Sequence, residues 1–175
     1  MACALVLTII GKDRPGLVEV LADLIATHQG NWEESRMARL AGHFAGVVQI
    51  RLPEEEAEGF LAAIPTLTDQ GLSVSVVDSD WNLVEVDHRH ALQLELVGQD
   101  RPGIIREISS TLAALGVSVQ DLRTVIESAS MSGEPMFRAE AELVLPDQTH
   151  FDQIRTALEQ LADDIMVDIA LKPSQ

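Results

Sequence analysis

The sequence predicts two α+β units in tandem, each built as strand, helix, strand, strand, helix, strand, with an antiparallel sheet and both helices on one of its faces. Three observations carry this. The segment GKDRPG at 11–16 returns as GQDRPG at 98–103. The distance between the copies, 87 residues from Gly11 to Gly98, is half of the 175-residue chain. Each copy follows an alternating apolar run and precedes apolar residues at helical spacing, which a true duplication requires.

In the first half, Leu5, Leu7 and Ile9 alternate along a strand over 4–10. Leu17, Leu21, Leu24, Ile25 and His28 then recur with a period of 3.6 in a helix over 15–28. Glycine and proline punctuation divides the rest into strands over 31–41 and 43–52, a helix over 54–64 and a strand over 72–78. In the second half the same elements fall at 90–97, 102–115, 117–128, 135–145, 147–162 and 165–171. This βαββαβ order is the ferredoxin-like arrangement. The segment DSDWNLVEVDHR at 78–89 joins the halves, which sets a first domain at 1–79, a linker at 80–89 and a second domain at 90–175.

The copies stay in step well beyond the turn. At the offset of 87, Leu5, Leu7 and Ile9 match Leu92, Leu94 and Leu96, and Leu17, Leu21 and Ile25 match Ile104, Ile108 and Leu112. Gly30 then matches Gly116, which pairs Asn31 with Val117. Phe44, Val48, Ile50, Leu52 and Pro53 match Phe137, Ala141, Leu143, Leu145 and Pro146, and Leu72, Val74 and Val76 match Ile165, Val167 and Ile169. These shifts imply one deletion at the end of the first helix and seven extra residues near SASMSGEP, where a loop tolerates them.

The Asp-Arg-Pro-Gly turn is suited to starting a helix. Asp13 and Asp100 are placed to cap it, Pro15 and Pro102 have the fixed φ of a first turn, and Gly16 and Gly103 keep the backbone bare. A well-made strand-to-helix turn explains most of the motif by itself. The functional reading adds that the N–H groups of Gly16, Leu17, Gly103 and Ile104 point outward at the positive end of a helix dipole, where a small carboxylate docks. A phosphate-binding loop is excluded, because Gly16 is followed by Leu17-Val18 and Gly103 by Ile104-Ile105, without the required Lys and hydroxyl. The G-x-G-x-x-G spacing of a dinucleotide site is absent too.

Composition narrows the partners. With 46% apolar and 23% charged residues the chain suits a globular fold. Twelve Lys and Arg against 28 Asp and Glu leave a net charge of −16, which repels phosphate backbones and anionic lipid. The single Cys3 and the absence of a CxxC pair fit a reducing, cytoplasmic setting. The apolar start MACALVLTII reads as a strand rather than a signal peptide, and no stretch approaches the ~18 apolar residues of a membrane helix. His28, His43, His88, His90 and His150 show no metal-ligand spacing, and only His88 and His90 have the period-2 spacing that could put them on one strand face. No nucleophile elbow occurs, and the acidic run PEEEAE at 53–58 reads as the solvated first turn of a helix. Neither a cofactor, a metal nor a catalytic group is expected, and the chain reads as a non-enzyme.

On these residues, DRPG between first strand and first helix and GNWEESR opening the second strand, each half resembles an ACT domain. The tandem resembles the glycine cleavage system transcriptional repressor family and its stand-alone double-ACT relatives. The resemblance implies a regulatory module that binds an amino acid between the strand–helix turn and the second strand. Carried over by position, the ligand-binding residues are Asp13, Arg14, Pro15, Gly16, Leu17 and Asn31 in the first half. In the second they are Asp100, Arg101, Pro102, Gly103 and Ile104, with Val117 at the place of Asn31. Arg14 and Arg101 are the candidate carboxylate clamps. The expected protein partner is a DNA-binding regulator or a metabolic enzyme, and a structural interaction module with vestigial sites is the third possibility.

The two sheets differ on the face away from the helices. With Phe44 and Phe137 inward, the first presents Val6, Thr8, Ile10, Ala45, Val47 and Gln49. The second presents Gln93, Glu95, Val97, Arg138, Glu140 and Glu142. A broad apolar face is expected to be covered, by the other repeat, by the linker with Trp81 or by a second subunit, and a homodimer follows from the last of these.

Overall fold

A computed structural model of the chain describes residues 2–78, 91–128, 133–146 and 151–173, and the chain divides into two compact units, Met1–Val84 and Glu85–Gln175. The expected linker at 80–89, with Trp81 and His88, lies outside the described residues, as do His90 and His150. The first unit runs β1 (Ala2–Lys12), α1 (Leu17–Thr27), β2 (Asn31–Leu40), β3 (His43–Pro53), α2 (Glu54–Asp69) and β4 (Leu72–Asp78). The second runs β5 (Ala91–Gln99), α3 (Ile104–Ala114), β6 (Ser118–Ser128), β7 (Pro135–Val144), α4 (Phe151–Ile165) and β8 (Val167–Pro173). The sheets are antiparallel with strand orders β2-β3-β1-β4 and β6-β7-β5-β8, so each half is the expected βαββαβ unit.

Period-2 burial builds each core. Leu5, Leu7 and Ile9 of β1 meet Val48, Ile50 and Leu52 of β3 on the inner face, and Leu17, Leu21 and Ile25 of α1 close over them with Phe60 and Leu67 of α2. A side chain fully removed from water in this way contributes about 1.5–3 kcal/mol. The second unit repeats the layer with Leu92, Leu94, Leu96, Ala141 and Leu143 under Ile104, Ile108, Leu112, Ile154 and Leu158.

Four expectations need correction. The helices begin at Leu17 and Ile104 rather than at Pro15 and Pro102, because Gly16 and Gly103 adopt φ of +89° and +98° and no side chain caps either helix. Asp13 and Asp100 are therefore not caps. Second, α2 continues through Pro65 to Asp69. Proline removes one helical hydrogen bond, but the fully buried Leu67 needs the extra turn to reach the core. In the same way α4 continues to Ile165, which is buried, and Met166 breaks it at φ +54°.

Third, Asn31 stands beside Arg51 and Ser118 beside Val144, each one step beyond the equivalent pair Ile50 and Leu143. Ser118, not Val117, is the counterpart of Asn31. Val117 replaces Gly30, since each donates its N–H to the same helix position, Leu112 and Ile25. Gly116, at φ +70°, replaces Gln29, at φ +57°. No residue is deleted, and the later excess, 93 minus 87 or six residues, falls between β6 and β7. Matching glycine to glycine misleads because Gln29 holds a left-handed conformation that glycine usually fills. Fourth, Leu72 pairs with Gly11 and Val167 with Gly98, so β8 is matched two residues later than expected: Leu72, Val74 and Val76 correspond to Val167, Ile169 and Leu171.

Candidate functional site

The first turn leaves β1 at Lys12, whose partner on β3 is His43. Asp13 donates its N–H to the carbonyl of Gly42, in the β2–β3 turn, at 2.9 Å. Its carboxylate Oδ2 accepts from Arg39 Nη1 of β2 at 3.1 Å. These two bonds hold the turn to the tip of the hairpin. The left-handed Gly16 then aims the chain into α1, whose first helical hydrogen bond runs from Val20 N–H to the Gly16 carbonyl at 3.0 Å. The N–H groups of Leu17, Val18 and Glu19 consequently have no acceptor inside the helix. Leu17 is buried as the anchor, while Asp13, Arg14, Pro15 and Gly16 are exposed.

Arg14 donates to carbonyls alone among the described residues: Nη1 to Pro15 at 3.5 Å and Nη2 to Gln70, beyond the end of α2. Its charge has no carboxylate partner there. A cavity of about 290 Å³ opens between this arginine, Gly16, the first turn of α1 and Phe44.

The second turn repeats the backbone but not the side-chain chemistry. Asp100 donates its N–H to the Pro135 carbonyl at 3.0 Å, and Glu107 N–H meets the Gly103 carbonyl at 3.0 Å. Arg101 is forked onto Glu107, with Nη2 to Oε2 at 2.7 Å and Nη1 to Oε1 at 3.5 Å. The residue at the place of Glu107 in the first half is Val20, and the residue at the place of Arg39 in the second is Ile126. Pro102 and Gly103 are exposed and Ile104 is buried.

Asn31 does not join the first turn. It sits in register with Arg51 and Ala4, eight residues of β1 from Lys12, or about 26 Å at ~3.3 Å per residue. The structure instead brings Arg39 and Phe44 to the turn. Sequence reasoning missed both as site residues, although the short Ala41-Gly42 turn between two strands places them near the hairpin tip.

Elsewhere, His28 at the end of α1 holds Glu56 of the α2 first turn, Nδ1 to Oε2 at 3.0 Å, and its ring stands edge-on to the buried Phe60 at 5.8 Å. Gln29 Nε2 donates to the other Glu56 oxygen at 3.2 Å. This joins two helices and takes Glu56 partly out of water, while Glu54, Glu55 and Glu58 of that acidic run are exposed. Among the described residues no cluster of three His, Cys, Asp or Glu is placed to hold a metal ion, and no described helix is long and apolar enough to cross a membrane.

The ACT domain family model matches residues 4–77 and 90–172, which takes in both turns. The crystal structure of an unknown protein from Galdieria sulphuraria is similar over 100% of both chains, with a TM-score of 0.86 and 24% identity. A protein proposed to be a glycine cleavage system transcriptional repressor is similar over 98% of this chain and 97% of its own, with a TM-score of 0.73 and 17% identity. At such identities the likeness is one of fold. No curated protein matches the sequence.

Proposed function

The chain belongs to the ACT domain family in both of its halves, and on that premise we propose that it is a cytoplasmic, non-catalytic regulator that senses a small amino acid or a related metabolite and signals to a protein partner. The observation that carries this is the first turn. The free N–H groups of Leu17, Val18 and Glu19 lie at the positive end of α1 beside Arg14, whose partners among the described residues are carbonyls. A carboxylate there gains a charge-assisted bond without first breaking an ion pair. The cavity of about 290 Å³ is at the small end for ligand sites, around 300 Å³ and upward, which favours a small amino acid.

In this reading the first site binds and the second is muted, because a ligand at Arg101 must displace Glu107. Asn31 enters the first site only when another ACT unit supplies it, since its own turn is a strand length away. The ligand acts by favouring one arrangement of units over another, to the extent that it binds the two with different affinity. Likeness to a protein proposed as a glycine cleavage repressor makes glycine the first ligand to try and transcription of glycine cleavage the first process. The net charge of −16 assigns any DNA contact to the partner. A regulatory subunit of an amino-acid or one-carbon enzyme uses the same sensor, and co-purification separates the two by whether a DNA-binding protein or an enzyme is retained.

The sensor itself is tested by thermal shift against glycine, serine and the other amino acids. A ligand at one hundred times its Kd stabilises by about 2.7 kcal/mol. Arg14→Ala should abolish the shift and Arg101→Ala should leave it. The absence of any shift in the wild type removes the sensing role and leaves the structural module.

A further inference from the structure

We propose that the outer face of the first sheet is the surface through which two copies of this chain associate, face to face about a two-fold axis. The face is rich in exposed apolar side chains: Ile10 is 51%, Val47 47%, Val77 63% and Leu40 79% exposed. Register places them with Val6, Thr8, Ala38, Ala45 and Ser75 on the side of the sheet opposite the buried Leu7, Val48 and Val76 row. A depression of about 220 Å³ lined by Val6, Glu34, Ser35, Arg36, Val47 and Gln49 gives an opposing side chain a seat.

The matching face of the second sheet shows that the topology does not demand this. There Glu95 takes Lys172 at 2.9 Å and Glu127 takes Arg138 at 3.7 Å, beside Glu140 and Glu142, and water suits the surface. Burying those carboxylates against the apolar face would leave charges without partners, so the second face is a poor cover for the first.

A second copy of the first face suits it on two counts. One is charge. A chain of net charge −16 repels its own copies over most of its surface. On this face, however, Glu34 and Arg36 are opposite charges two positions apart on one strand. A two-fold axis across the strands at the row of Ser35, Val48 and Leu7, the middle of the seven rows from Ala4 to Ile10, sets Glu34 of each copy against Arg36 of the other. The other is area. Four strands about 4.8 Å apart, taken over the seven rows from Ala4 to Ile10 at ~3.3 Å each, span about 450 Å². Two copies thus cover about 900 Å² of flat sheet, and more once side-chain relief is included, which reaches the ~1,000 Å² of a specific contact. The dimer is therefore weak, and a self-complementary patch closes it at two copies.

The test is the mass of the full chain in solution by light scattering, at about 100 µM, above the micromolar Kd suited to so small an interface. The wild type should show twice the 19.0 kDa of one chain. Val47→Glu and Ile10→Glu should each return it to a single mass, with circular dichroism unchanged because both side chains are half-exposed in the single chain. Ile126→Lys, on the exposed edge strand β6, should keep the doubled mass. A wild type of single mass, a doubled mass that survives both face substitutions, or dissociation by Ile126→Lys alone overturns the proposal. None of these readouts depends on the ligand.

Discussion

At Gly16 and at Gly103 the backbone turns alike, with φ of +89° and +98°, yet Arg14 reaches the carbonyl of Gln70 while Arg101 is forked onto Glu107. The outer faces diverge in the same way, one rich in exposed apolar side chains, the other threaded with ion pairs. The inner faces stay apolar in both units, with leucine and isoleucine at most of the matching rows and small changes such as Val48 to Ala141. What the fold requires is confined to the inner face and the left-handed glycine. Positions outside that set are free to differ, and there the two halves separate in chemistry.

The largest test removes what the halves share. Leu7→Ala and Leu94→Ala, equivalent and both buried, should each cost about 2–5 kcal/mol in the unit that carries it, read from calorimetric melting. A large loss at one and none at the other would break the claim of equivalent cores.

A smaller effect separates the halves at one conserved-looking position of the repeat, Gly11 and Gly98. A methyl at Gly11 meets the backbone carbonyl oxygen of Gly71 at 2.5 Å, which cannot move without the turn. A methyl at Gly98 meets Val167 Cγ1 at 2.4 Å and Cβ at 3.0 Å, and a change of rotamer relieves the first of these contacts but not the second. Gly11→Ala should therefore sit at the upper end of the ~1–3 kcal/mol range of overpacking and Gly98→Ala at the lower, in urea titrations of the two variants. Equal losses would mean that Val167 is as fixed as backbone.

Smaller again are Gly16→Ala and Gly103→Ala, each about 1–2 kcal/mol, because the cost is the left-handed φ and the added methyl meets no more than a glutamate oxygen at ordinary contact distance, 3.9 Å and 3.8 Å. The pair should agree in melting temperature, but only Gly16→Ala should weaken ligand binding. The smallest change in stability comes from Glu107→Gln, since half-exposed ion pairs contribute about 0–1 kcal/mol. It should nevertheless release Arg101 and raise the ligand stoichiometry from one per chain to two by titration calorimetry. A stoichiometry unchanged at one would show that Glu107 is not what mutes the second turn.

Much of this was legible in the chain. Alternation marked Leu5, Leu7 and Ile9 as an inner row, four-residue spacing marked Leu17, Leu21 and Ile25, and the recurring turn marked both helix starts to within two residues. Less was legible at the site. The eleven carried-over residues fall at the two turns except Asn31, which the topology places at the far end of β2. Arg39 and Phe44, in contrast, arrive at the first turn only because the hairpin folds back onto it.

The order of elements, the inner rows and the duplicated turn were determined by the sequence itself, because side-chain period is a local property that neighbouring residues express without help. Tertiary structure alone decided that Ser118 rather than Val117 answers Asn31, that α2 outlasts Pro65, and that Glu107 holds Arg101 while Arg14 is left to carbonyls. Each of these depends on partners far along the chain or across a strand ladder. Burial and hydrogen bonding between such partners outweigh local preference by a few kcal/mol, and no local pattern records which partner is chosen.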